Sequence, residues 1–154
     1  MSVTRQAERL YDAFSELVRR YQFRDRDQIC CHGLSVSQCY TLDALAPVDS
    51  LTMGELAERL CLKISSATRV VDPMVERGWV RRLEDPTDRR VCRIQATARG
   101  RSLVGRVRAD LVGEHEKVLR NVPAESREAV IQAMTDLLAA FEQRRCCAAE
   151  ECHQ

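Results

Sequence analysis

Residues 79–100, WVRRLEDPTDRRVCRIQATARG, read as two short β-strands joined by an Asp-Pro-Thr-Asp turn. Pro86 presets φ, and Asp85 and Asp88 on either side can bond their own backbone, which is the chemistry of a tight turn. Val80 and Leu83 before the turn, then Val91, Cys92 and Ile94 after it, supply the apolar and β-branched positions of two arms. Arg81, Arg82, Arg89, Arg90 and Arg93 crowd onto the same hairpin as an exposed basic finger, and hydrophobic burial gives no reason for them. A stiff finger of guanidinium groups suits a phosphate backbone or a minor groove.

Immediately upstream, residues 51–78 (LTMGELAERLCLKISSATRVVDPMVERG) predict a helix, a turn and a second helix. Thr52 and Glu55 have capping-box spacing, so hydroxyl and carboxylate can each satisfy an orphan N–H. Leu56 and Leu60 give the first helix its apolar stripe, and residues 61–64 make the turn. The second helix starts near Ser65 and stops at Gly78. Its inner face is Ala67, Val70, Val71, Met74 and Val75, leaving Ser65, Ser66, Thr68, Arg69 and Asp72 outside. Pro73 removes one helical hydrogen bond and is expected to kink the axis. Small hydroxyls and an arginine at the start of an exposed helix suit the major groove, and the helix N-terminus attracts phosphate. Helix, turn, helix and basic hairpin together predict a winged helix-turn-helix.

The run ISSATRVVDPMVERGWVRRLEDPTDRRVCRIQATARG resembles the MarR family of bacterial winged-helix transcriptional regulators. Asp88 and Arg90 match the Asp-x-Arg of that family's wing, and Ala96-Thr97-Ala98-Arg99-Gly100 matches its Leu-Thr-x-x-Gly exit. The flanking helices fit as well, so the resemblance covers nearly the whole chain. It implies a mainly α fold with a small β-hairpin wing, in which the winged helix-turn-helix is flanked by dimerisation helices. It also implies a triangular homodimer built from N- and C-terminal helices. The expected reading residues are Ser65, Ser66, Thr68 and Arg69 in the major groove and Arg89 and Arg90 in the wing, with Asp88 orienting Arg90. A carboxylate near phosphates is repelled, which is why Asp88 is given the orienting part.

Charge is distributed accordingly. The chain of 154 residues carries a formal net charge of only +1, yet residues 63–101 hold ten basic and five acidic side chains. The remainder is net negative, so positive charge concentrates in the reading module. A content of 45% hydrophobic residues is ample for a core in one domain of this size.

Outside the module, Leu10, Phe14, Leu17, Val18 and Tyr21 make a helical stripe. A helix from about Ser35 presents Val36, Cys39, Tyr40, Leu42 and Leu45. After Thr97 a long helix runs to about Arg120, and Pro123 opens a last helix whose Val130, Ile131, Met134, Leu137, Leu138 and Phe141 form another stripe. Terminal helices this apolar are hard to cover with one compact winged-helix core, the alternative to a dimer being a monomer that wraps them around itself. An isologous twofold dimer covers them, and it matches a pseudo-palindromic double-stranded DNA operator. The expected organisation is an N-terminal dimerisation helix with a Cys-Cys-His loop (1–34), the DNA-binding region (35–100), C-terminal dimerisation helices (101–145) and a cysteine-rich tail (146–154).

Eight cysteines are the second informative feature. Charges throughout the first twenty residues exclude a signal peptide, and no run reaches transmembrane length, so the expectation is a cytoplasmic protein with no membrane partner. There a disulfide framework loses weight, and metal or redox roles gain it. Cys39, Cys61 and Cys92 read as small hydrophobes of a helix face, a turn and a strand. Cys30-Cys31-His32 in a polar loop, and Cys146-Cys147 and Cys152-His153 in a polar tail, do not read as packing. Thiolates and imidazoles select zinc, copper(I), iron–sulfur clusters or metalloids, although adjacent Cys-Cys pairs match neither zinc nor ferredoxin spacing. His115, mid-helix, is a further candidate whose ordinary reading is a solvent-facing or hydrogen-bonded residue.

Three functions compete. The first is a dimeric repressor gated through this cysteine-rich site by a thiolate-ligated metal, metalloid or iron–sulfur cluster, or by thiol oxidation. Such a tie would alter the spacing of the two reading heads, which must sit roughly 34–36 Å apart to enter successive major grooves. The second is a MarR-type repressor released by a small phenolic or lipophilic ligand, its cysteines incidental. The third, an enzyme or metal carrier, finds no Ser/His/Asp order, HExxH, phosphate loop or paired carboxylates, and no use for an arginine wing.

Overall fold

The structure, a computed structural model, describes residues 2–151, with residues 22–28, 30–31 and 143–151 described by their backbone alone. Helices α1 (Val3–Cys31) and α2 (Val36–Leu45) precede a short strand β1 (Leu51–Thr52). Helices α3 (Met53–Arg59) and α4 (Ile64–Glu76) follow, then strands β2 (Val80–Glu84) and β3 (Cys92–Ala96), then α5 (Ala98–Arg120) and α6 (Arg127–Glu151). This is the expected mainly helical winged helix, with one addition. The hairpin is part of a three-stranded antiparallel sheet of order β1-β3-β2, in which Leu51 pairs with Ile94 and Arg82 with Ile94 from the other side.

The chain divides into two compact units, Met1–Leu111 and Val112–Gln154. In the first unit the core is built from Leu42, Leu45, Leu56, Val71, Met74 and Ile94, all fully buried. Alternation places Val80 of β2 and Ile94 and Ala96 of β3 in this core and turns Arg81 outside, while Arg82, on the face of Val80, is exposed where it pairs with Asp72. Leu103, Val104 and Val107 of α5 close it. In the second unit Pro123 is followed by a single 3₁₀ turn, Ala124–Ser126, before α6 begins.

Both terminal helices run farther than expected. Cys30 and Cys31 close α1 rather than standing in a loop, and Cys146 and Cys147 lie within α6 rather than beyond it. The first 32 residues contain no glycine or proline, so nothing breaks α1 before Gly33, whose φ of +74° ends the run. Buried Ile29 fastens this last turn to the core. Residues 127–151 likewise lack a helix breaker. Among the described residues no helix is long and apolar enough to cross a membrane.

Candidate nucleic-acid interface

Local chemistry holds α4 at both ends. Thr52 Oγ1 accepts from Glu55 N at 3.2 Å and Glu55 Oε2 accepts from Thr52 N at 2.7 Å, so the expected capping box starts α3. At the connecting turn Cys61 adopts φ +55° and Leu62 N donates to Ala57 O at 2.9 Å. Past α4, Gly78 at φ +68° forms a Schellman cap: Trp79 N donates to Met74 O, and Gly78 N to Val75 O, both at 2.9 Å. Ala67, Val71 and Met74 are buried, and the helix continues through Pro73. Its opposite face shows Ser65 and Arg69 exposed and Ser66 and Thr68 half-buried. Thr68 Oγ1 donates to Ile64 O at 2.9 Å, which leaves its oxygen free only to accept.

The wing turn is organised by Asp85. Its Oδ1 accepts from Thr87 Oγ1 (2.6 Å), Thr87 N (2.9 Å) and Asp88 N (3.2 Å), and its Oδ2 accepts from Arg93 Nη1 (3.0 Å). The Thr87 hydroxyl, then its N–H and the Arg93 guanidinium, hold this carboxyl well below the usual carboxylate range. Arg93 also donates to Ser50 Oγ at 2.8 Å and Ser50 O at 3.3 Å, so it clamps β3 to the chain before β1.

Three of the five wing arginines are therefore committed within the fold. Besides Arg93, Arg81 Nε donates to Gln95 Oε1 at 2.6 Å, and Gln95 in turn donates to Asp49. Arg82 pairs with Asp72, linking β2 to α4. Four of the five are exposed as read and Arg93 alone is half-buried, but Arg81 and Arg82 are tied to neighbouring elements, which leaves Arg89 and Arg90 at the wing tip. Arg90 donates to Asp88 Oδ1 from its backbone N (2.9 Å) and its Nε (3.3 Å), with its side chain almost wholly exposed. Arg89 is exposed and makes no hydrogen bond or ion pair among the described residues.

The exit from β3 is a close approach. Thr97 Oγ1 donates to Gly78 O at 2.7 Å and accepts from Gly100 N at 3.0 Å. A Cβ on Gly100 would stand 2.0 Å from Trp79 O, so the first turn of α5 fits only because residue 100 has no side chain.

Residues 34–92 match the family model described as "MarR family". Over these residues the chain resembles the MarR family. It is 27% identical to an uncharacterized HTH-type transcriptional regulator, YsmB, of Bacillus subtilis over 64% of this chain and 65% of that one. It is 29% identical to the homoprotocatechuate degradative operon repressor of Escherichia coli over 71% of this chain and 72% of that one. In the first comparison the chain thus spans just under two thirds of its relative's length. The fold is similar to that of a MarR family protein from Bacillus stearothermophilus, with a TM-score of 0.84, 22% identity, and coverage of 92% of this chain and 99% of the other.

The cysteine and histidine candidates are only partly placed. The side chains of Cys30, Cys31, Cys146 and Cys147, and all of Cys152 and His153, lie outside the described residues. His32 Nε2 donates to Asp110 Oδ2 of α5 at 2.7 Å, which takes one of its two ligand atoms. His115 is half-buried on α5. No group of three metal-ligating side chains occurs among the described residues. Cys39 is buried as expected, whereas Cys61 and Cys92 are exposed, because the turn and the outward register of β3 face solvent. Sequence reasoning missed Arg77, whose Nη1 donates to Gly33 O at 3.0 Å while the guanidinium lies 4.9 Å from the Trp79 ring. It also missed exposed Leu62 and Ile64 at the start of α4.

Proposed function

We propose that this chain is a dimeric, sequence-specific DNA-binding transcriptional regulator acting as a repressor. One observation carries the reading: the exposed start of α4, with Ser65, Ser66, Thr68 and Arg69, is linked through the Asp72–Arg82 pair to a wing tip that keeps Arg89 and Arg90 outward. In this reading α4 enters the major groove, and the wing arginines meet phosphate or the adjoining minor groove. Dimerisation is supported by apolar residues exposed in the single chain, Leu10, Leu17 and Tyr11 on α1 and Ile131, Met134 and Leu138 on α6. A homodimer on a pseudo-palindromic operator would bury them. Selection of duplexes from a random pool, followed by sedimentation of the complex, tests this. Two chains per symmetric duplex are expected, and an absence of any enriched duplex would refute it.

The effector site we place at Cys30 and Cys31 together with Cys146, Cys147 and Cys152, with His32, His115 and His153 as further donors. A thiolate-bound metal, metalloid or iron–sulfur cluster, or thiol oxidation, would act there. Support comes from position. Two residues beyond Cys31, the Gly33 carbonyl is held by Arg77 at the end of α4, and just before Cys30 stands buried Ile29. A displacement of the end of α1 would reach the reading helix by this route. Anaerobic purification followed by metal, sulfide and visible-spectrum analysis tests it, with bound metal or labile sulfide expected. A metal-free protein whose DNA affinity ignores thiol oxidation and arsenite would remove the cysteine reading. It would favour release by a small phenolic or lipophilic ligand, which the name of the homoprotocatechuate operon repressor supports.

A further inference from the structure

Between residues 35 and 100 the described residues expose only three large hydrophobic side chains, Tyr40, Leu62 and Ile64. Two of these flank a single residue, Lys63, the N-cap of α4, which makes no side-chain cap hydrogen bond. Ile64, the first residue of α4, is 58% exposed and Leu62 is 38% exposed, whereas Leu56 and Val71 of the same helix pair are fully buried. An aliphatic pair left in water at a domain's edge asks for an apolar partner. Lys63 and Arg69 give the same surface positive charge, so the partner must be polyanionic and yet locally apolar.

A DNA major groove has one such feature, the C5-methyl of thymine, which distinguishes A·T from every other pair by contact alone. Lys63 and Arg69, exposed in the same stretch, suit the phosphates that border the groove. We infer that Ile64, widened by Leu62, is a specificity-determining residue that packs against a thymine methyl in each half-site of the operator. The inference rests on the DNA-reading assignment above and adds to it a base preference. Ser65 and Arg69 supply hydrogen bonds from the same turns, and Thr68, its proton already donated to Ile64 O, can only accept there, as from adenine N6 or cytosine N4.

The test uses a duplex selected by the full-length protein from a random pool. Each thymine of the selected half-site is replaced symmetrically by deoxyuridine, which lacks only the methyl. At one position the wild type is expected to lose about fourfold in affinity per half-site, the equivalent of one buried methyl group. Ile64→Ala should bind the unmodified duplex more weakly by a similar factor and be indifferent to deoxyuridine at that position. Its far-ultraviolet circular dichroism and Tm should match the wild type, because the side chain is exposed. Leu62→Ala, a milder change in the same patch, should shrink the deoxyuridine penalty without abolishing it. If the wild type binds selected DNA but tolerates deoxyuridine everywhere, the inference falls and DNA reading stands. A penalty that persists undiminished in Ile64→Ala also overturns it, as does a change in sedimentation of that variant without DNA, which would mark a protein contact. Failure to enrich any duplex would overturn both readings.

Discussion

Arg93 donates from Nη1 to Oδ2 of Asp85 at 3.0 Å, and both side chains are largely withdrawn from solvent, at 27% and 11% exposure. The bond separates arginines that build the wing from those the wing displays. Arg93 gives two further donors, Nε and Nη2, to Ser50, so three of its five N–H groups are committed within the fold. Arg89, a few residues away, has no such commitments among the described residues.

Replacing the two should therefore give opposite phenotypes. Arg93→Ala is expected to lower Tm, because it leaves the inward-facing Asp85 carboxylate without its cation. Arg89→Ala should leave Tm unchanged and weaken binding to all duplexes alike. Its plot of log affinity against log salt should flatten by roughly 0.9 for each phosphate that the arginine no longer neutralises. Scanning calorimetry and anisotropy titrations at several salt concentrations measure the pair. An Arg89→Ala protein that melts early but binds normally would reverse the assignment.

Asp85 gives the wing a pH dependence. Hydrogen bonds from Thr87 and the Arg93 cation depress its folded pKa below the unfolded value. The stabilisation is thus fully present above the ordinary aspartate pKa and is lost as pH falls through the depressed folded value. Urea unfolding between pH 5 and 2 should show stability falling with acid, and Asp85→Asn should flatten that part of the curve. A variant whose acid dependence equals the wild type's would show that the carboxylate's ionisation does not stabilise the fold.

Gly100→Ala tests the junction of wing and α5. The new Cβ would overlap the Trp79 carbonyl, which also accepts from Thr97 N at 3.0 Å, so neither backbone can yield cheaply. A loss of about 1–3 kcal/mol, the usual scale of overpacking, is expected in urea unfolding. Gly105→Ala is the control, since nothing outside its own stretch of helix lies within 4 Å of the place its methyl would take. Equal stability of the two variants would mean that the close approach relaxes.

A helix end can be tested more gently. Thr52→Ala removes the hydroxyl of the capping box and should cost about 1 kcal/mol in stability. Thr52→Ser, which keeps the oxygen, should recover most of it. If the two substitutions are equivalent, the cap does not contribute.

Local signals were legible in the sequence. The capping box at Thr52 and Glu55, the stop at Gly78, the inner face of α4 and the hairpin arms all depend on residues a few positions apart. What escaped was non-local. Arg93 bonds Ser50, 43 positions away, and Arg82 pairs with Asp72, so counting arginines on a hairpin could not tell which are tied into the fold. Strand β1 is two residues long and visible only through its pairing with Ile94 and Arg93. The ends of α1 and α6 extend past their expected limits because a polar run reads as a loop, although polar residues without glycine or proline continue a helix equally well. Residue type assigns Cys61 and Cys92 to packing, and the register of the turn and strand turns them outward.

The central claim, that the start of α4 and the wing tip form one DNA-reading surface, is tested most directly by anisotropy titration. Wild type, Arg69→Ala and Arg89→Ala would each be titrated with a selected duplex and with a scrambled duplex. The account predicts that Arg69→Ala narrows the difference between the two duplexes, while Arg89→Ala weakens both and lowers the salt dependence. Wild-type affinity and salt dependence in both variants would contradict it.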